Sequence, residues 1–247
     1  MSIDSASQLD KLRAIGRIVR RTLDETAKFV RPGITTAELD SIGAHLLAEQ
    51  GAESAPPKVY GFPGALCISV NEEAIHGIPG SRVIRDGDLV KLDLVAEKDG
   101  YFADAAITVG AGSISKTART LADCAESAFR KAAQVARVGH RVCDIGGAVE
   151  QETRRRGFRV LRDLRGHGVG RTIHEEPTVP NYYDREARTR LTEGLVITIE
   201  PILAATTGRA YLARDGWTIK TSDGSLAAHY EHTIVITRSA PILVTAA

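Results

Sequence analysis

The chain has 247 residues, with 32 Lys+Arg against 31 Asp+Glu, 43% hydrophobic and 26% charged. That length supports a continuous buried core, and that composition belongs to a folded globular protein rather than a disordered one. A formal net charge of +1, with no like-charge block longer than Arg154-Arg155-Arg156, excludes a strongly basic nucleic-acid or membrane-surface binder.

In chain order, Leu9, Leu12, Ile15, Val19, Leu23, Ala27 and Val30 recur at helical spacing, and Arg31-Pro32-Gly33 stops that run. A second helix is predicted from Thr35, whose spacing to Glu38 fits a capping box, to just before Gly51. Strand-like runs follow at Leu66–Val70, Leu89–Val95 and Ala103–Val109. Helices are predicted over Ser115–Val138 and Val142–Arg156, the latter closed by Gly157. The remainder reads as mainly extended, most clearly at Val196–Ile199, Trp217–Thr221 and Glu231–Thr237. Two helices then strands, twice over, predict an α+β protein with helices covering one face of a sheet. No apolar run is long enough for a membrane span, and the polar Met1–Asp10 segment resembles neither a secretory nor a transit peptide. Cys67, Cys124 and Cys143 form no close pair, which suits a reducing compartment; a cytoplasmic location is expected.

A weak internal repeat runs through the chain. The span from Gly33 to Gly51 equals that from Gly139 to Gly157, and Glu38-Leu39 falls where Asp144-Ile145 does. The run Asp86–Asp93 matches Glu193–Glu200, each ending on a carboxylate six residues after its glycine. Asp104–Ile107 likewise matches Glu231–Ile234. Three matches in one order predict a single domain over 1–247 made of related halves, about 8–110 and 115–238.

Each matched strand pair carries an acid at the equivalent place. Leu92 and Leu94 share one face of their strand, so Asp93 points to the other. If Glu97-Lys98-Asp99-Gly100 forms the loop, Asp93 lies directly opposite Asp104. Opposed Cβ atoms are ~4.5–5.5 Å apart, and two carboxylates at that distance repel by about 3 kcal/mol at an effective dielectric of 20. Solvated acids on an edge hairpin, a dyad sharing one proton, and a metal-bridged pair would each accommodate this. Glu200 and Glu231 repeat the arrangement and His167 adds an imidazole. Four acids and a histidine exceed what one shared proton can satisfy, and they suit two divalent cations bridged by carboxylates.

His167 lies in Gly166-His167-Gly168-Val169-Gly170, where glycines allow close backbone approach but are also common in plain turns. His76, after an apolar strand, would on its own be read as structural. Taken together, Val70-Asn71-Glu72, His76-Gly77-Ile78-Pro79, Leu92-Asp93, Asp104, Gly166–Gly170, His174-Glu175-Glu176-Pro177, Thr198-Ile199-Glu200-Pro201 and Tyr230-Glu231-His232-Thr233 resemble type I methionine aminopeptidases. The resemblance runs in the family's order from about residue 8 to 238. It implies the pita-bread fold, a pseudo-two-fold α+β duplication with a curved, mainly antiparallel sheet.

Carried over residue by residue, it makes Asp93, Asp104, His167, Glu200 and Glu231 the ligands of two divalent ions, with Co, Mn, Fe and Zn all chemically admissible. Asp104 and Glu231 would bridge, and Glu200 would also shuttle protons. His76 and His174 would contact the substrate and the tetrahedral intermediate. Val59, Phe62, Cys67, Ile173 and Trp217 would line a methionine pocket, although in isolation these five read as ordinary core. The implied reaction is attack of a metal-bound hydroxide on the carbonyl of an initiator methionine that precedes a small residue. The implied partners are N-termini of nascent polypeptides, with the ribosome as a further candidate; a monomer without nucleic-acid or membrane partners is expected. Ala105-Ala106 departs from the small-polar-then-basic pair often seen after the second aspartate in that family. An Xaa-Pro peptidase of the same fold and a non-catalytic pita-bread binding protein remain the alternatives.

Overall fold

The computed structural model describes residues 1–246. In chain order the elements are α1 (Ala6–Ala27), α2 (Thr36–Glu49), β1 (Glu53–Ser54), α3 (Ala55–Tyr60), β2 (Cys67–Val70), β3 (Glu73–Ile75), β4 (Leu89–Lys98) and β5 (Tyr101–Gly110). There follow α4 (Lys116–Val135), α5 (Val142–Arg155), β6 (Arg159–Val160), β7 (Arg165–Gly168), β8 (Glu175–Pro180) and β9 (Val196–Ile199). The chain closes with β10 (Ile202–Ala204), β11 (Ala210–Leu212), β12 (Ile219–Thr221), β13 (Ala227–His229), β14 (Glu231–Val235) and β15 (Ile242–Leu243).

The helices begin where the sequence supplies caps. Ser5 Oγ accepts from the Gln8 amide at the start of α1, and the Thr35 hydroxyl accepts from the Glu38 amide while Glu38 accepts from the Thr35 amide. Asp144 accepts from the Arg141 amide at 2.8 Å, repeating half of that box at the start of α5. The glycines matched between the halves adopt matching left-handed backbones, φ 93° and 95° at Gly33 and Gly139, 90° and 83° at Gly87 and Gly194.

The main sheet runs β1-β4-β5-β14-β9-β7-β8, with β2 added on β4 and β15 on β14, all pairs antiparallel. Helices α1 and α2 bury Leu12, Ile15, Val19, Leu23 and Leu39 against Leu92, Leu94 and Ala105 of β4 and β5. Helices α4 and α5 bury Leu121, Phe129, Ile145 and Val149 against Ile197, Ile199 and Ile234 of β9 and β14. Because strand side chains alternate, the residues between these apolar ones point away from the helices. Asp93, Asp104 and Thr198 stand at such positions. Among the described residues no helix is long and apolar enough to cross a membrane.

The β4–β5 hairpin differs from the four-residue loop predicted. Lys98 pairs with Tyr101, leaving Asp99-Gly100 alone as a two-residue turn, with φ 52° and 75°. Positive φ at both central residues is the primed turn whose twist suits a hairpin, and Asp tolerates it. Glu97 and Lys98 therefore extend the strand, and the register moves: Asp93 pairs with Ala106, and Asp104 with Val95. The two aspartates share a face as diagonal neighbours, not as a directly opposed pair.

Candidate metal centre and pocket

Five successive strands of the sheet each bring one polar side chain to the face away from the helices. Asp93 comes from β4, Asp104 from β5, Glu231 from β14, Glu200 from the residue following β9, and His167 from β7. Ala106 pairs with Asp93 on one side and Glu231 on the other. Its methyl group leaves open the space between those two carboxylates, which gives a spatial reason for a small residue there. Ala105 points the other way, into the core beneath α1.

The glycines around His167 serve packing. A Cβ on Gly166 would lie 2.7 Å from the Thr198 carbonyl oxygen, and one on Gly168 would lie 2.3 Å from that of Glu176. Only glycine lets β7 lie this close to its neighbours. The His167 ring is then oriented by Nδ1, which donates to the Gly168 carbonyl at 2.9 Å. Nε2 is left 3.6 Å from Asp104 Oδ2 and 3.6 Å from Glu200 Oε2. The Thr198 hydroxyl accepts from the His167 amide and donates to Glu200 Oε2 at 2.9 Å, tying the two side chains together.

Burial and crowding make this cluster costly without a cation. Burial, followed by the charges of Glu231, Asp93 and Glu200, pushes the Asp104 carboxyl well above its usual range. Burial and Glu231 do the same to Glu200, and burial and Asp93 to Glu231. Asp93 is also raised by burial. His167 is lowered to about 4, chiefly by burial, so its imidazole is neutral at neutral pH. Asp104 Oδ1 and Glu231 Oε1 are buried without any hydrogen-bond partner. One donor atom each from Asp104, His167 and Glu231 lies within 4.8 Å of the other two. Orphaned carboxylate oxygens beside a neutral imidazole nitrogen fit a divalent cation.

The cluster floors a cavity of about 300 Å³. Phe62 and Trp217 meet edge-on at its wall, ring centroids 5.3 Å apart, with Cys67, Ile173 and Ile219 completing an apolar side. The Cys67 thiol is pushed well up by burial and then by the nearby acids, so it remains a neutral wall group.

His76 and His174 face the cavity from outside the acid cluster. His76 holds φ at 56°, a left-handed conformation uncommon for its type. The following glycine locks it: the Gly77 amide donates to Ser69 Oγ at 2.9 Å, and a Cβ there would lie 2.4 Å from the Ile68 carbonyl oxygen. Asn71, in the turn between β2 and β3, is anchored by the buried Lys91, whose Nζ donates to its carbonyl at 2.8 Å. Gly77→Ala should therefore cost about 1–3 kcal/mol of stability, read as a lower midpoint of unfolding, because the clash is with backbone. His76 is lowered to about 4 by burial, then by His229 and His174, and is a neutral ring at pH 7. His174 sits at the cavity mouth, its ring centroid 4.2 Å from that of His167, and its Nδ1 is 2.6 Å from the Tyr60 hydroxyl.

One predicted pocket residue is misplaced. Val59 is 49% exposed and does not line the cavity; Tyr60, with Pro56, takes that position. The cause is α3, which sequence reading overlooked although Pro56-Pro57 at its start and a left-handed Gly61 at its end are the expected signals. The helix carries Val59 toward solvent and Tyr60 to the rim. Val59→Tyr should leave unchanged the selectivity among Met, norleucine and Leu N-termini that the resemblance implies for this pocket. Tyr60→Phe should lower kcat/KM by removing the partner of His174; matched peptide kinetics on the two variants test both statements. A second oversight is His229, which lines the cavity two residues before Glu231. The alternation His229-Tyr230-Glu231 on one extended segment shows that His229 shares a face with Glu231, but not that its ring nitrogens lack partners.

The sequence profile of Metallopeptidase family M24 matches residues 10–238. The chain belongs to metallopeptidase family M24. Among its M24 relatives, the protein described as methionine aminopeptidase 2 of Bacillus subtilis (strain 168) is 44% identical over 247 residues, 99% of each chain. The crystal structure of the methionine aminopeptidase of Thermotoga maritima superposes with a TM-score of 0.96 at 33% identity, covering 100% of both chains. The prolidase of Pyrococcus furiosus matches 99% of this chain and 65% of its own at 23% identity, TM-score 0.79, a likeness of fold alone. The pita-bread architecture expected from the resemblance is the one observed. As an M24 member the chain uses divalent metal, which agrees with the donor set just described.

Proposed function

We propose that the chain is a methionine aminopeptidase acting on N-terminal methionine that precedes a small residue. The observation that carries this reading is the placement of five chelating side chains, one per adjacent strand, at the floor of an apolar cavity walled by Phe62 and Trp217. Full-length relatives described as methionine aminopeptidases support it over an Xaa-Pro peptidase. Asp93, Asp104, His167, Glu200 and Glu231 would hold two divalent ions, because four carboxylates balance the charge of two such cations. Mn, Fe, Co and Zn all suit oxygen ligands with an imidazole. When bound, these ions supply Lewis acidity toward the scissile carbonyl and acidify the attacking water.

The protein's own groups do the remaining work. Glu200, oriented by Thr198, accepts the proton of the attacking water and returns one to the leaving amine. His76 and His174, neutral and outside the ligand cluster, donate hydrogen bonds toward the substrate carbonyl, where charge develops. Phe62, Cys67, Ile173, Trp217 and Tyr60 enclose the unbranched thioether and exclude water. Nascent polypeptide N-termini in the cytoplasm are the substrates this reading implies, acted on by a monomer.

The deciding experiment is a metal-reconstituted assay on short peptides beginning Met-Ala, Met-Pro and Ala-Pro. Release of Met, with no cleavage after Ala in Ala-Pro, is the expected result. Preferential cleavage of Ala-Pro would instead assign an Xaa-Pro peptidase.

A further inference from the structure

We propose that His229 is a sixth protein donor at the metal centre, offering its Nε2 to the ion that Glu231 holds. The inference rests on the metal-holding role given above to the acid cluster, and it adds to that cluster an imidazole on the flank opposite His167.

Three observations carry it. First, His229 is 2% exposed, and neither ring nitrogen has a hydrogen-bond partner. Buried polar side chains are nearly always partnered, so a histidine orphaned at both nitrogens is waiting for something the protein does not itself supply. Among the described side chains, the other orphaned atoms in this cavity are Asp104 Oδ1 and Glu231 Oε1, both carboxylate oxygens of the proposed ligands. The orphans cluster at one place.

Second, Nε2 lies 3.3 Å from Glu231 Oε2 without forming an aligned hydrogen bond. An N–H aimed at a carboxylate oxygen at this distance would be linear. Two lone-pair donors converging on one ion at ~2.0–2.2 Å and roughly a right angle or slightly wider lie about 3 Å apart. The observed pair has that spacing. His167 has a similar relation on the other flank, 3.6 Å from both Asp104 and Glu200.

Third, the ring has little freedom to turn away. His229 pairs with Ile202 in the β10–β13 ladder, its amide donates to Thr108 Oγ1 at 2.9 Å, and its carbonyl accepts from the same hydroxyl at 2.6 Å. A backbone clamped on both sides fixes where Cβ points, and alternation along the segment puts it on the side of Glu231. His232, by contrast, is an ordinary buried histidine: its nitrogens are satisfied by the Thr245 and Tyr230 hydroxyls.

The test uses cobalt(II) as the probe on the intact chain. A coordinated imidazole that keeps its N–H gives one solvent-exchangeable, strongly shifted proton resonance in the cobalt-loaded protein. Wild type should show two such resonances; His229→Ala and His229→Gln should each show one, and His167→Ala should lose the other. Titration should give two cobalt sites in wild type, with affinity at one of them at least about tenfold weaker in both His229 variants. A wild-type spectrum with only the His167 resonance overturns the proposal, independently of how the variants fold. Unchanged isotherms in the folded His229→Gln protein overturn it as well. Wild type that binds no cobalt would overturn the metal-holding reading itself, an outcome distinct from failure of the His229 assignment alone.

Discussion

Chelation followed by dialysis should abolish peptide turnover, leave far-ultraviolet circular dichroism near native, and make stability fall with rising pH. The fold survives because the five side chains stand on strands already held by the two helix-backed cores. The pH slope follows from the shifts. Burial first, then mutual repulsion, raises Asp104, Glu200 and Glu231 well above their usual range, so the metal-free folded state binds more protons than the unfolded chain. Stability then decreases as pH rises, by about 1.4 kcal/mol per pH unit for each proton retained only in the folded state. His76, His167 and His229, lowered to about 4 mainly by burial, act in the opposite sense. Their contribution is complete only about one unit above the unfolded histidine value of 6.5, so a fall in stability at still higher pH reports the carboxylates alone. Metal-loaded protein should show no such slope, because the cations keep the carboxylates ionised, and it should be more stable by about 2.7 kcal/mol at a hundredfold excess over Kd. The measurement is thermal unfolding at pH 7.5, 8.0 and 8.5 with and without added manganese. Full turnover after exhaustive chelation would remove the metal from the mechanism.

Much of this site was legible in the sequence, for a physical reason. A ligand on a half-buried strand must interrupt an apolar alternation, and Asp93, Asp104, Glu200 and Glu231 all do so conspicuously. The helix cap at Thr35 was readable because it is local chemistry. What failed was of three kinds. The hairpin register depended on whether Asp99 would adopt positive φ, a choice between loops of similar cost that shifts every cross-strand partner. The short α3 was hidden because six residues give too little periodicity, and Val59 was assigned to the pocket in place of Tyr60. His229 escaped because its significance lies in missing partners, and a sequence does not show which nitrogen atoms go unsatisfied.

His76→Asn should lower kcat about 10²–10³-fold at unchanged metal content, whereas His167→Ala should lose metal. The distinction is geometric. His167 points Nε2 between Asp104 and Glu200, so its removal opens the cluster itself. His76 faces the same cavity from the residue that follows β3, and none of its atoms is paired with the acids. Asparagine is the informative substitution at this position. The backbone at His76 is left-handed, φ 56°, and Ala there would add conformational strain to the lost imidazole. Asn tolerates that backbone and removes only the ring, so a fall in kcat reports the hydrogen bond made as the carbonyl oxygen becomes charged. KM should change less than kcat, since an interaction made mainly in the transition state contributes little to ground-state binding. Elemental analysis beside steady-state kinetics on both variants separates the two roles. Equal metal loss in His76→Asn and His167→Ala would place both rings on the cations and overturn the assignment of His76 to the substrate.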